Sequence, residues 1–110
     1  MTDTEILEHI KKLMEEVFGY DKKKICPQTD LTKLGLLSED IDVFFVRYKE
    51  IFNVDMSEYD YYNYFYEDVL PFSYFKKVLK RMLTKDTKSL LVCDLIYFAK
   101  SEKWKKSKIN

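Results

Sequence analysis

Apolar positions recur with helical spacing in four stretches of this chain. In "TDTEILEHIKKLMEEVFG", Ile6, Ile10, Leu13 and Val17 follow one another at steps of four, three and four, and Leu7, Met14 and Phe18 widen the stripe. That spacing lays apolar side chains along one face of a helix. Thr2 followed three residues later by Glu5 predicts a capping box at its start, and Gly19 predicts a left-handed cap at its end. A second helix is predicted to begin at Ser38 and run through "EDIDVFFVRYKEIF". Ile41, Phe44, Phe45, Tyr48, Ile51 and Phe52 form its inward side, and Asp40, Asp42, Arg47 and Glu50 its outward side. Pro71 opens a third periodic segment, "PFSYFKKVLKRML", and "LLVCDLIYFAKSEKW" supplies a fourth, with Leu91, Leu95, Ile96, Phe98 and Ala99 as its expected core.

Between the first two helices, "YDKKKICPQTDLTKLGLL" has no period. It reads as a long loop pinned by Ile25, Leu31 and Leu34. The stretch before the third segment, "SEYDYYNYFYEDVLPFSYF", crowds Tyr59, Tyr61, Tyr62, Tyr64, Phe65 and Tyr66 among Glu58, Asp60, Glu67 and Asp68. Such rings could stack on single-stranded nucleic acid, but a phosphate backbone needs cations beside them. The expectation is an aromatic excursion whose rings roof the core with their hydroxyls in water.

Composition agrees with the pattern. Two glycines and two prolines in 110 residues suit helices joined by loops better than a turn-rich sheet protein. The expected fold class is all-α, a four-helix bundle forming a single domain over residues 1–104, with a basic flexible tail over 105–110. No window approaches the roughly 18 apolar residues of a membrane span, and "MTDTEILEHI" lacks the basic start and apolar core of a signal peptide. A cytoplasmic protein that does not bind membranes is expected. The neutral total hides a division: residues 1–60 carry 14 acidic against 8 basic side chains, and residues 61–110 carry 5 against 11. Separate acidic and basic faces would steer partners without affecting the fold.

Candidate chemistry is sparse. His9 points away from the first stripe and has no evident catalytic partner. Cys26 and Cys93 lack metal-ligand spacing, so neither zinc nor a disulfide framework is expected. Pro27 biases Cys26 towards extended backbone, away from a helix start that would lower its thiol pKa, and Cys93 is expected to be a small buried residue. Ser38 has a sufficient structural role as an N-cap, with Glu39 and Asp40 complementing the helix dipole. No paired acids, serine-histidine arrangement or glycine-rich phosphate loop offers a catalytic site, and the chain is not expected to be an enzyme.

The order of elements resembles that of acyl carrier proteins. In "LGLLSEDIDVFFVRYKEIFNVDM", Leu34, Gly35, Ser38 and Phe52 fall in register with the carrier stretch whose serine bears phosphopantetheine. The ending "LLVCDLIYFAKSEKW" and the aromatic patch "YDYYNYFYE" are similar to an uncharacterised enterobacterial family with an acyl-carrier-protein-like fold. The chain departs from carriers in placing Leu37-Ser38-Glu39 where they have Asp-Ser-Leu. The resemblance implies a protein-interaction module that binds basic-faced enzymes through Asp40, Asp42 and Glu50. An alternative is a true carrier with 4'-phosphopantetheine on Ser38. A third reading, a nucleic-acid-binding regulator using Lys76, Lys77, Lys80, Arg81 and the C-terminal lysines, is disfavoured by the neutral total charge.

Overall fold

The computed structural model describes residues 1–65 and 88–105. Three helices organise them: α1 (Asp3–Phe18), α2 (Ser38–Phe52) and α3 (Val92–Ser101). There is no strand among the described residues, and no helix among them is long and apolar enough to cross a membrane. The predicted helix over 71–83 and the last five residues of the predicted tail lie outside the described residues.

The ends of α1 are set locally, as its sequence predicts. Glu5 N–H donates to Thr2 Oγ1 at 3.2 Å and Thr2 N–H donates to Glu5 Oε1 at 3.0 Å, so the capping box satisfies two donors that the helix leaves unpaired. Gly19, at φ 74°, ends the helix and its backbone N–H donates to the Glu15 carbonyl. Helix α2 stops in the same way at Asn53, φ 53°, a residue type that tolerates the left-handed region. Its start differs from expectation. Leu37, not Ser38, occupies the N-cap position with extended backbone, and no side chain caps the helix there. Ser38 is the first residue inside α2 because the chain is already helical by the time it reaches the hydroxyl, with Ile41 N–H bonded to the Leu37 carbonyl.

Helix α1 packs against both α2 and α3. Ile6, Ile10, Leu13 and Met14 meet Ile41, Phe44, Phe45, Tyr48 and Phe52 from α2 and Val92, Leu95, Phe98 and Ala99 from α3. Complete burial of such side chains stabilises by roughly 1.5–3 kcal/mol each. Ile51, expected in the core, sits on the flank of α2 and is exposed. Two polar links cross the bundle surface, Arg47 to Glu16 at 2.7 Å and Lys100 to Asp3 at 2.9 Å. A third lies inside it, where Tyr48 Oη donates to the Leu95 carbonyl at 2.6 Å.

The connections are more ordered than their sequence suggests. Asp21, Asp30 and Asp60 each open a single 3₁₀ turn, accepting the amide two residues on, a local bond that aspartate makes readily. Asp30 Oδ1 also accepts from Thr32 Oγ1 and from the Leu90 amide, while Leu31 N–H bonds the Leu90 carbonyl. The loop between α1 and α2 is thereby tied to the start of α3. At the far end Trp104 is fully buried, with the rings of Phe98, Tyr59, Phe45 and Tyr64 around it at 4.4 to 5.8 Å. Its amide donates to the Asp55 carbonyl and the Asp55 amide in turn donates to the Glu102 carbonyl, so residues 102–104 run beside 53–55. The aromatic excursion does roof this core through Tyr64 and Phe65, but Tyr59 Oη is buried, with no hydrogen-bond partner among the described residues, instead of reaching water. Burial raises the Tyr59 phenol pKa, and the Asp42 carboxylate adds to the rise.

Candidate functional site

The outer side of α2 is the surface that the sequence reading and the structure both single out. A turn at Gly35, φ 66°, leads the loop into it, and Tyr20 Oη holds that loop by donating to the Leu34 carbonyl at 3.0 Å. At 3.6 residues per turn, positions 39, 43, 46 and 50 fall in one row along a helix. Here they are Glu39, Val43, Val46 and Glu50, all exposed, with Asp42 beside them. Leu37 at the helix start is 58% exposed, Val43 50% and Val46 58%. This row is an apolar strip edged by carboxylates.

Of the predicted docking acids, Glu50 lies in this row, while Asp42 and Asp40 flank it on its two sides, Asp40 three residues before Val43. Asp40 and Asp42 are two positions apart, about 160° around the helix, and Asp40 is half-buried on the opposite flank. Arg47, predicted beside them, is committed to Glu16, whose carboxyl it holds below the ordinary range through their hydrogen bond. Sequence reading missed Glu39, Val43 and Val46. The signal was present: two valines at positions that the inward stripe of Ile41, Phe44, Phe45 and Tyr48 leaves facing water.

Ser38 is half-buried at the first position of α2, with Glu39 and Asp40 in the same turn. It stands at the positive dipole end of a helix of 15 residues. The two acids of that turn already occupy part of the same field.

Cys26 stands off any helix start, as expected, while Cys93 departs from the burial expected of it. Cys26 is exposed in a turn closed by Thr29 N–H to the Cys26 carbonyl at 3.0 Å, with its Sγ 3.6 Å from Thr29 Oγ1. The Thr29 hydroxyl and nearby amides lower its thiol pKa, an effect of the turn that needs no helix end. Cys93 is exposed too, because the second position of α3 turns away from the stripe of Val92, Leu95 and Phe98. Near it is a groove of about 460 Å³ with Leu7, Pro27, Ile96 and Tyr97 in its walls. His9 is exposed, edge-on to Phe52 at 6.1 Å. No group of histidine, cysteine and acidic residues suited to a metal ion occurs among the described residues.

No curated protein and no solved structure matches this chain. One family model does, and it spans the frame just described, from the Thr2 cap of α1 past the buried Trp104: residues 2–106 match "Protein of unknown function (DUF1493)", and the chain belongs to that family.

Proposed function

We propose that this protein is an acyl-carrier-protein-like interaction module, without catalysis of its own, that docks a basic-faced protein partner on the outer row of α2. The observation that carries the reading is the exposure of Val43 and Val46 between Glu39, Asp42 and Glu50, with Leu37 exposed at the helix start. Apolar side chains gain most when a partner removes them from water, and flanking carboxylates steer a cationic surface onto them. The order of α1, a long loop ending in Leu34-Gly35, α2 and a C-terminal α3 supports the carrier-like reading.

The test compares wild type with Val46→Asp and with Asp42→Lys combined with Glu50→Lys, each immobilised and exposed to cell lysate. Specific partners retained by wild type should be lost from both variants at unchanged melting temperature, a weakening of at least about tenfold. A partner set identical for all three proteins refutes docking on this row.

A second reading rests on Ser38 at the helix start. In it, Ser38 Oγ carries 4'-phosphopantetheine, whose terminal thiol would hold an acyl group as a thioester. Intact mass after co-expression with a broad-specificity phosphopantetheinyl transferase should then show one added arm, absent in Ser38→Ala. An unchanged mass removes this reading and leaves the docking row untouched.

A further inference from the structure

We propose that Cys26 and Cys93 form a reversible intramolecular disulfide that clamps the loop after α1 onto the start of α3. The two thiols are far apart in sequence, but the fold sets their backbones side by side. Val92 N–H donates to the Thr29 carbonyl at 2.9 Å, and Cys93 N–H donates to the Pro27 carbonyl at 2.9 Å. Cys26 is the neighbour of Pro27, and consecutive Cα atoms are about 3.8 Å apart. Cys26 therefore stands one residue from direct hydrogen-bond contact with Cys93, on a turn whose exposed side carries its sulfur. A disulfide requires Cα atoms about 4.4–6.8 Å apart, so the linkage forms only if the 26–29 turn brings the Cys26 sulfur to Cys93.

The two thiols have different surroundings. Cys26 has the Thr29 hydroxyl at its sulfur, where it can donate to a thiolate, and Lys11 nearby adds a favourable charge. Cys93 stands at the wall of the groove lined by Leu7, Pro27, Ile96 and Tyr97. Cys26 is therefore the attacking thiolate and Cys93 the resolving thiol. With hydrogen peroxide as oxidant, the Cys26 thiolate takes one peroxide oxygen and becomes a sulfenic acid, and the O–O bond breaks to release hydroxide, which is protonated to water. The Cys93 thiol then displaces the sulfenic oxygen as a second water, and the S–S bond forms. Two thiols are oxidised, one peroxide is reduced, and a thiol reductant reverses the step.

The clamp would act on two features. It fixes Pro27 against Cys93 at the groove, and it shortens the free length of the loop that delivers Leu37 and Ser38 to α2. It stands apart from the docking reading, since neither thiol lies on the outer row of that helix.

The test uses the full chain, reduced, desalted, and treated with hydrogen peroxide at low protein concentration. The expected product is a monomer lighter by two hydrogens, with one linked peptide joining Cys26 to Cys93 and a melting temperature several degrees higher. Cys93→Ser should halt at the sulfenic acid, trapped by dimedone on Cys26, and Cys26→Ser should give no linked product. The rate should fall at least tenfold in denaturant, because the fold supplies the proximity. Oxygen addition without linkage, covalent dimers as the main product, or an equal rate in the denatured chain would each overturn the proposal.

Discussion

Removing the Tyr48 hydroxyl tests how α2 and α3 are joined. Tyr48 is fully buried and its Oη donates to the Leu95 carbonyl at 2.6 Å. Tyr48→Phe deletes the donor and leaves the ring in place. Leu95 lies inside α3, so its carbonyl keeps the amide four residues on as a partner, and no acceptor is orphaned. The cost is then that of one net hydrogen bond, about 1 kcal/mol (range ~0.5–1.5), and not the larger penalty of a stranded polar group. With a urea m-value of roughly 1–1.5 kcal/mol per M for a chain of this size, the midpoint should fall by about 0.7–1 M with m unchanged. Alkaline pH supplies a second reading. Burial raises the Tyr48 phenol well above its ordinary value of 10.0. The unfolded state therefore releases this proton first, and the stability that depends on it, fully present below pH 10, is lost as pH rises further, at about 1.4 kcal/mol per unit. Tyr48→Phe lacks that loss, while the other tyrosines are common to both chains. The gap between the proteins should close near pH ~11. Equal midpoints at pH 7, or a gap that stays constant across the alkaline range, would refute the reasoning.

Three further outcomes test the ring cluster, the first cap and the outer row of α2. Trp104→Ala should destabilise by about 3–5 kcal/mol, because it empties the ring cluster of Phe98, Tyr59, Phe45 and Tyr64; a thermal melt within a few degrees of wild type would show the indole to be dispensable. The Thr2 amide and hydroxyl hold the Glu5 carboxyl below its ordinary 4.5, so the capping box stabilises above that pH and its contribution is lost as pH falls through the lowered value. Glu5→Gln should accordingly show a shallower loss of helicity between pH 5 and 3, and parallel acid titrations of the two proteins would contradict this. Val43→Ser combined with Val46→Ser should leave the unfolding free energy from urea melts within about 0.5 kcal/mol of wild type, since both side chains face water; a large fall would mean that they are covered within the protein.

Much of the fold was legible in the sequence because its signals are local. The stripe of Ile6, Ile10, Leu13 and Val17, the Thr2–Glu5 box and Gly19 describe α1 from end to end, since each acts within a turn or two of its own position. The inward face of α2 was legible for the same reason, apart from Ile51 at its flank. The aspartates before each 3₁₀ turn carried a signal that the sequence reading passed over. The candidate site was read less well. Its apolar members Val43 and Val46 were left out, and the different burial of Asp42, exposed, and Asp40, half-buried, is not written in their spacing.

Helical spacing and capping chemistry, both properties of a few consecutive residues, determined where α1, α2 and α3 form and which side of each turns inward. Contacts between distant segments decided what those helices present. Residues 26–31 meet 90–93 through backbone hydrogen bonds that no local pattern encodes, which brings Cys93 beside the turn of Cys26. Trp104 is buried only because 102–104 runs alongside 53–55. Burial and proximity are sums over neighbours far along the chain, so they exist only once the chain has closed on itself.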